Sequence, residues 1–290
     1  MGNPVSCDVG IVNYGNFQGL GRCLESLFSV ETPLPGRVFV VENGPNDIPA
    51  ELSARFPSVR FHKNRQNLGF ARGCNQIIEG SRAPFICFLN PDTILERPFI
   101  ARGAKWLLDH RDVAVLGPKI IDPDGRVQGS ARGFPTLATA FFGRTSILTR
   151  LFPHNSLARR NIKTLAAGDG PQEVDWVSGA CMIVRRQAID EVGGLDEGFF
   201  MYWEDCDWCT RFRQRGWKVV YHPGIGPVIH EAGSCSKNVR LRSLYWFHKS
   251  AARLYLKYDT SPLRLGSALA IGGSLLRFLL FLPKTLLPSR

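Results

Sequence analysis

Phe85-Ile86-Cys87-Phe88-Leu89-Asn90-Pro91-Asp92 runs five consecutive apolar residues into a polar turn. A strand without polar alternation is buried on both faces, which requires a sheet covered by helices on each side. Upstream, Asp8-Val9-Gly10-Ile11-Val12 reads as a first buried strand ending at Asn13-Tyr14-Gly15-Asn16, and Arg37-Val38-Phe39-Val40-Val41 as a second, closed by Glu42-Asn43-Gly44-Pro45. Between them Leu20, Cys23, Leu24, Leu27 and Phe28 recur at i, i+3, i+4, i+7 and i+8, the period of an amphipathic helix. Val59 to His62 forms a short third strand, and a helix from about Gly69 to Gly80, with Phe70, Cys74, Ile77 and Ile78 inward, leads into the quoted strand. Alternating strands and helices predict an α/β fold with a doubly wound, mostly parallel, twisted sheet. Ligands of such sheets bind at the carboxyl ends of the strands, here Asn13, Glu42-Asn43 and Asn90-Pro91-Asp92. No Gly-x-Gly-x-x-Gly or Walker sequence follows the first strand, which weighs against dehydrogenases and NTPases.

Downstream, residues 124–172 are rich in Gly, Pro and Arg and poorly periodic, so loops or a mobile segment are expected there. Order returns over Val174 to Val184, a helix is expected from Trp208 to Arg215, and a late strand over Trp217 to Tyr221. With 290 residues, 44% hydrophobic and 21% charged, the chain is globular. Its net charge of +11 is uneven: residues 237–290 hold ten Lys or Arg against one acid, Asp259, leaving only +2 on residues 1–236. A nearly neutral body with a basic tail argues against nucleic-acid binding. The tail from Leu263 to Leu287 is largely apolar, but its longest uncharged stretch, Leu265 to Leu276, is too short to span a bilayer. A helix lying in an anionic membrane surface is expected; a helix packed on the body or on a dimer partner is the competing reading. The eight scattered cysteines suit reduced thiols in a cytosolic protein, and the lone pair Cys206-x-x-Cys209 is a weak zinc signal. No signal peptide is expected, and the myristoylation-like Met1-Gly2-Asn3-Pro4-Val5-Ser6 has little leash before the first strand.

The chemistry concentrates in Phe199-Phe200-Met201-Tyr202-Trp203-Glu204-Asp205-Cys206-Asp207-Trp208, where three carboxylates stand in four residues among aromatic rings. Clustered, desolvated carboxylates raise or couple their pKa values for base chemistry. The competing reading is an ordinary helix start, with acids favoured by the N-terminal dipole. Asp92 ends a buried strand, where one carboxylate can hold a divalent cation, Mg²⁺ or Mn²⁺, together with diphosphate oxygens and water. His230 is a second ligand if the fold brings it beside Asp92, and a structural histidine otherwise.

Taken in order, these pieces resemble family 2 glycosyltransferases of the GT-A fold, particularly a bacterial rhamnosyltransferase-like branch, over about residues 6–240. The marks are Ile11-Val12-Asn13-Tyr14, Val40-Val41-Glu42-Asn43-Gly44, Asn67 to Asn75, Phe88 to Thr93, and Gly117-Pro118-Lys119 leading to Asp122-Pro123-Asp124-Gly125-Arg126. Trp176-Val177-Ser178-Gly179-Ala180, Glu204-Asp205-x-Asp207 with Arg211 and Gly216-Trp217, and His230-x-x-Gly233-Ser234 complete the series. The resemblance implies an inverting enzyme that moves rhamnose from a nucleotide diphosphate, dTDP-rhamnose or alternatively a UDP-sugar, onto a glycan or lipid-linked glycan in cell-surface polysaccharide synthesis. It implies Asp205 as catalytic base with Glu204 beside it, and a cation on Asp92 and His230. Donor contacts would come from Asn13, Glu42, Asn43, Asn67, Gly69, Arg72, Asn75, Asn90 and Asp92, with the N–H groups opening the 69–80 helix suited to an anion. Acceptor contacts would come from Trp176, Ser178, Gly179 and Trp203. Asp207 is read as structural, paired with Arg211 at i, i+4. Asn90 stands where the family carries the first Asp of its metal motif, and Glu42 where many relatives carry Asp. The expected organisation is a catalytic domain over 1–236, its nucleotide-sugar half about 1–120 and its acceptor half about 121–236, then a basic helical tail over 237–290 at the inner face of the cell membrane. A nucleotidyltransferase would need a Gly-rich basic loop where Asn13-Tyr14-Gly15-Asn16 stands. An inactive glycan-binding or membrane-scaffold protein is the alternative from another class.

Overall fold

β1 (Cys7–Asn13) and β4 (Phe85–Leu89) are wholly buried and pair in parallel at the centre of an eight-stranded sheet. The computed structural model describes residues 5–135, 164, 168, 170–231, 240–260, 266–269, 271–273 and 275. Met1 to Pro4, most of the 124–172 segment, Gly233, Ser234 and Cys235, and most of the tail beyond residue 260 lie outside the described residues.

Sheet order is β3 (Val59–Lys63), β2 (Val38–Glu42), β1, β4, β11 (Cys181–Arg185), β6 (Val113–Pro118), β12 (Lys218–His222), β9 (Gln172–Glu173). β1, β2, β3 and β4 run parallel, as do β6 and β12. The sheet is therefore mostly parallel and doubly wound, as the alternation predicts, with antiparallel β11 inserted between β4 and β6 and antiparallel β9 at the edge.

The uninterrupted apolar run of β4 divides between two cores. Phe85, Cys87 and Leu89 join one cluster, with Leu20, Leu24 and Leu27 of α1 (Phe17–Val30) and Ile100, Ala104 and Leu107 of α4 (Ile100–Asp109). Ile86 and Phe88 join the other, with Ala71, Cys74 and Ile77 of α3 (Phe70–Gly80), Ala188 and Ile189 of α5 (Arg186–Val192), and Trp208 and Phe212 of α6 (Glu204–Gln214). Successive strand residues point to opposite faces, so a strand covered twice must be apolar throughout. Gly10 admits α3 at close range: a Cβ there would stand 2.6 Å from Ile77 Cγ2.

Two features bring distant segments to the strand ends. Because β11 runs against β4, with Cys181 opposite Leu89, residues 176–180 arrive beside Asn90, whose N–H donates to the Ala180 carbonyl at 2.9 Å. A small sheet of β5 (Thr93–Leu95), β13 (Val228–His230) and β7 (Ile120–Ile121) sets His230 opposite Thr93. Finally α7 (Arg240–Tyr258) packs on the body: Leu254 is buried in the second core and Trp246 stacks on Phe200 with ring centroids 4.3 Å apart. No helix among the described residues is long and apolar enough to cross a membrane.

Candidate active site

The strand ends open into a cleft of about 840 Å³. Of the residues expected at the donor, Asn13, Asn43, Asn67, Gly69, Asn90 and Asp92 line it. Asn13 donates from Nδ2 to Glu42, while its buried Oδ1 has no partner among the described residues. Asn43 donates to the Gly69 carbonyl at 2.9 Å and accepts from Asn64 at 2.7 Å. Asn67 accepts from the Gly69 N–H at 2.9 Å, shaping the turn into α3. Gly69 is required there, with φ +87° and the Phe200 carbonyl 2.5 Å from where a Cβ would stand.

Three expected donor residues lie off the cleft wall. Glu42 is fully buried and its oxygens are taken by Asn13 and by the N–H groups of Gly15 and Gly44, so it clasps two turns together. Arg72 turns to the surface and donates to both oxygens of Glu197 at 2.7 Å. Asn75 is exchanged with Leu195 and Glu197, donating to the Leu195 carbonyl at 3.0 Å and accepting its N–H at 2.8 Å. The first N–H of α3, at Phe70, is spent on the Phe200 carbonyl at 2.8 Å and is not available to an anion.

The acidic cluster opens α6. Tyr202 and Trp203 both have φ of 69°, two successive left-handed residues that are not glycine, an expensive conformation of the kind that clusters at functional sites. They turn the chain so that Glu204 and Asp205 line the cleft. Asp205 is anchored by the Gly179 N–H on Oδ2 at 2.9 Å and the Cys206 N–H on Oδ1 at 2.8 Å. Burial raises its pKa, and these two N–H donors and the charge of Arg132 only partly oppose the rise. Glu204 is 6% exposed and its Oε2 has no partner among the described residues. Burial, then the charges of Asp205 and Asp207, push its pKa well above the ordinary carboxyl range. Asp207 takes no part in the cleft: fully buried, it pairs with Arg211 at 2.9 Å, Lys257 at 2.7 Å and the Tyr258 hydroxyl at 2.8 Å. The i, i+4 partner read from the sequence is the one found.

Asp92 and His230 meet across the cleft floor, with Nε2 3.2 Å from Oδ1. Asn90 Nδ2 lies 3.3 Å from the same ring nitrogen, and Gln128 Oε1 3.0 Å from Nδ1. A histidine whose far nitrogen is held by an oxygen, and whose near nitrogen shares a carboxylate's neighbourhood, suits a divalent cation. Among the described residues no three of His, Cys, Asp and Glu gather at one point, so the remaining ligands would be diphosphate and water oxygens. Cys206 and Cys209 are buried free thiols inside α6.

Trp176, Ser178, Gly179 and Trp203, the residues expected at the acceptor, also line the cleft, with the Arg132 guanidinium 5.5 Å above the Trp176 ring. Two groups escaped the sequence reading. Gln128, Ser130 and Arg132 also line the cleft, from a stretch read as loop; their every-second-residue spacing is the signal that marks a shared face. Tyr245, Trp246 and Phe247 of α7 form the outer wall, and three adjacent aromatics in a basic segment were their mark.

The chain has recognisable relatives. A family model described as "Glycosyl transferase family 2" matches residues 8–193. The chain is similar to the N-acetylglucosaminyl-diphospho-decaprenol L-rhamnosyltransferase of Mycobacterium tuberculosis, 34% identical over 245 residues covering 78% of this chain and 76% of that one. It is 28% identical over 171 residues to the rhamnosyltransferase WbbL of Escherichia coli K12, covering 58% and 60% of the two chains. Among solved structures, the mannosyltransferase PcManGT from Pyrobaculum calidifontis, in complex with GDP-Man and Mn²⁺, superposes with a TM-score of 0.59 at 12% identity, over 96% of this chain and 75% of that one. That likeness is one of fold.

Proposed function

This chain belongs to glycosyl transferase family 2 and is a glycosyltransferase, and we propose that it transfers rhamnose with inversion from dTDP-rhamnose to a lipid-linked glycan. The observation that carries the reading is the Asp205 carboxylate, half-buried and anchored by two N–H groups in the cleft that also holds Asp92 and His230. The unpartnered Asn13 Oδ1 suits the single ring N–H of a thymine or uracil base at the nucleotide end. A glycan acceptor fits the aromatic walls formed by Trp176 and Trp203, ring centroids 6.1 Å apart.

In the reaction the acceptor hydroxyl lies against Asp205, which takes its proton as the oxygen attacks the anomeric carbon. The new C–O bond forms on the face opposite the one that breaks, the nucleoside diphosphate leaves with the bonding electrons, and one displacement inverts the centre. Glu204, whose raised pKa favours the protonated form, would hold the acceptor or Asp205 as a hydrogen-bond donor. A divalent cation, Mg²⁺ or Mn²⁺, held by Asp92 and His230 would neutralise the charge on the leaving diphosphate. The lipid-linked acceptor is taken from the named substrate of the mycobacterial relative. Such an acceptor favours a location at the inner face of the cell membrane, where the exposed Leu241, Tyr245 and Leu256 of α7, interspersed with Arg242 and Lys249, suit an anionic surface.

Calorimetric titration with dTDP-rhamnose and UDP-sugars, with and without Mn²⁺, tests the donor. A Mn²⁺-dependent preference for dTDP-rhamnose supports the reading, and preference for a UDP-sugar removes rhamnose from it. For the base, Asp205→Asn is expected to lower kcat by about 10² to 10⁴-fold at unchanged donor affinity. Near-normal turnover in that variant would overturn the assignment.

A further inference from the structure

Gln128 Nε2 donates to two oxygens at once, Asp122 Oδ1 at 2.6 Å and the His230 carbonyl at 2.9 Å. Carboxylate and carbonyl oxygens accept hydrogen bonds, so the NH₂ end of the amide must face them. Its Oε1 is thereby turned to His230 Nδ1, 3.0 Å away. An oxygen acceptor at that position requires the ring proton on Nδ1 and leaves the Nε2 lone pair aimed at Asp92 Oδ1, 3.2 Å distant. Asn90 Nδ2, 3.3 Å away, can donate to that lone pair, but the Asp92 carboxylate faces it as well, and a divalent cation there would satisfy both.

The loop that supplies Asp122 is built for the purpose. The Asp122 N–H donates to the Arg126 carbonyl at 2.8 Å, the Gly125 N–H returns to the Asp122 carbonyl at 2.8 Å, and Gly125 sits at φ +83°. Beyond this turn the Gln128 N–H donates to the Ile120 carbonyl at 2.9 Å. Asp122-Pro123-Asp124-Gly125-Arg126 thus folds back on itself and presents a carboxylate to the side chain two residues past its end.

We propose that Gln128 and Asp122 are positioning residues: the Asp122–Gln128 relay holds His230 as the Nδ1–H tautomer and so presents Nε2, together with Asp92, to a divalent cation. The inference rests on the reading of Asp92 and His230 as the cation pair. Neither relay residue touches the reacting atoms. The turn and the cation site become one unit, which gives the Asp122 to Arg126 motif a role that its distance along the chain from Asp92 conceals.

The full chain, ¹⁵N-labelled on histidine, reports the tautomer directly through long-range proton–nitrogen correlations, with His230→Ala identifying the signal among six histidines. Mn²⁺ affinity is measured on the same proteins by electron paramagnetic resonance of the free ion in the presence of dTDP. The metal-free protein is expected to show His230 protonated on Nδ1. Gln128→Leu should release that preference and weaken Mn²⁺ binding about 10 to 100-fold. Asp122→Ala, which frees the amide to turn over, should move both readouts the same way, whereas Asp122→Asn, which keeps an acceptor oxygen, should restore them. Unchanged signals from the other histidines exclude misfolding as the cause. A metal-free His230 protonated on Nε2, or unaltered Mn²⁺ affinity in both Gln128→Leu and Asp122→Ala, overturns the relay. Unaltered affinity in His230→Ala would instead remove the cation pair on which the relay depends.

Discussion

Glu204 and Asp205 are neighbours on one helical turn, and burial raises the pKa of both, with more opposition at Asp205. Desolvation raises the Asp205 pKa, and two N–H donors and the charge of Arg132 oppose the rise. Glu204 has only its own backbone N–H to oppose burial and the charge of Asp205, and its Oε2 has no partner among the described residues. A base must be ionised, so the acidic limb of kcat/KM should lie above the usual aspartate range. Arg132→Gln should move that limb to still higher pH, because the removed charge favours the anion. A limb that stays in place would show that the titrating group is not Asp205. The raised pKa of Glu204 favours its neutral form relative to an ordinary carboxyl, and glutamine reproduces that form's shape and capacity to donate. Glu204→Gln should retain turnover within about tenfold, while Glu204→Asp, which withdraws the group by one methylene, should lose more. The reverse order in steady-state assays would mean that Glu204 works as an anion.

Elements explain how such residues reach one cleft, and here the basic α7 helix does more than extend the chain. Its Lys257 bridges Asp196 at 2.8 Å and Asp207 at 2.7 Å, Arg253 reaches Asp196 at 3.0 Å, and Tyr258 donates to Asp207. The helix bearing Asp205 is thereby tied to the helix forming the outer wall. Burial alone would raise the Asp196 carboxyl, but Lys257, the Gly198 N–H and Arg253 outweigh it and hold the pKa down at about 2. A depressed carboxylate contributes stability that is complete above its unfolded pKa near 3.8 and is lost as pH falls toward 2. Asp196→Asn should therefore cost up to about 2 kcal/mol at neutral pH, less whatever solvent screening removes, and the difference from wild type should vanish in acid. Denaturant melts at several pH values measure it; a penalty independent of pH would assign the loss to packing instead.

The same scale shows what could be read in advance. β1, β2, β4 and the helices between them follow from continuous apolar runs and a 3.6-residue period, both local signals. The antiparallel insertion of β11 leaves no local trace, because a doubly covered strand is apolar in either direction. Arg72 and Asn75 face Glu197, more than a hundred residues away, a tertiary partner that their helix position did not reveal. Gln128 and Trp246 acquire their places in the cleft only through the fold, whereas Asp205, Asp92 and His230 stood out by residue type and order.

For the whole molecule, the distribution of apolar surface repeats the asymmetry of charge. Leu241, Tyr245 and Leu256 are 43%, 48% and 42% exposed, and Leu269 and Leu275 farther along are more so. These belong to the same portion of chain that holds +9 of the net +11 charge. A surface joining cations to exposed leucines gains from anionic headgroups and from the shallow hydrocarbon beneath them, and only the first gain is screened by salt. Association with vesicles containing anionic lipid should therefore weaken, without disappearing, as ionic strength rises. Leu241→Glu with Leu256→Glu should remove the salt-resistant part in a sedimentation assay, since both leucines lie outside the cleft lining. Turnover of a detergent-dispersed acceptor should survive in that double variant, while turnover of an acceptor embedded in vesicles falls with binding. If both activities fall together, α7 acts on the cleft and not on the membrane; if neither falls, the acceptor reaches Asp205 without this face.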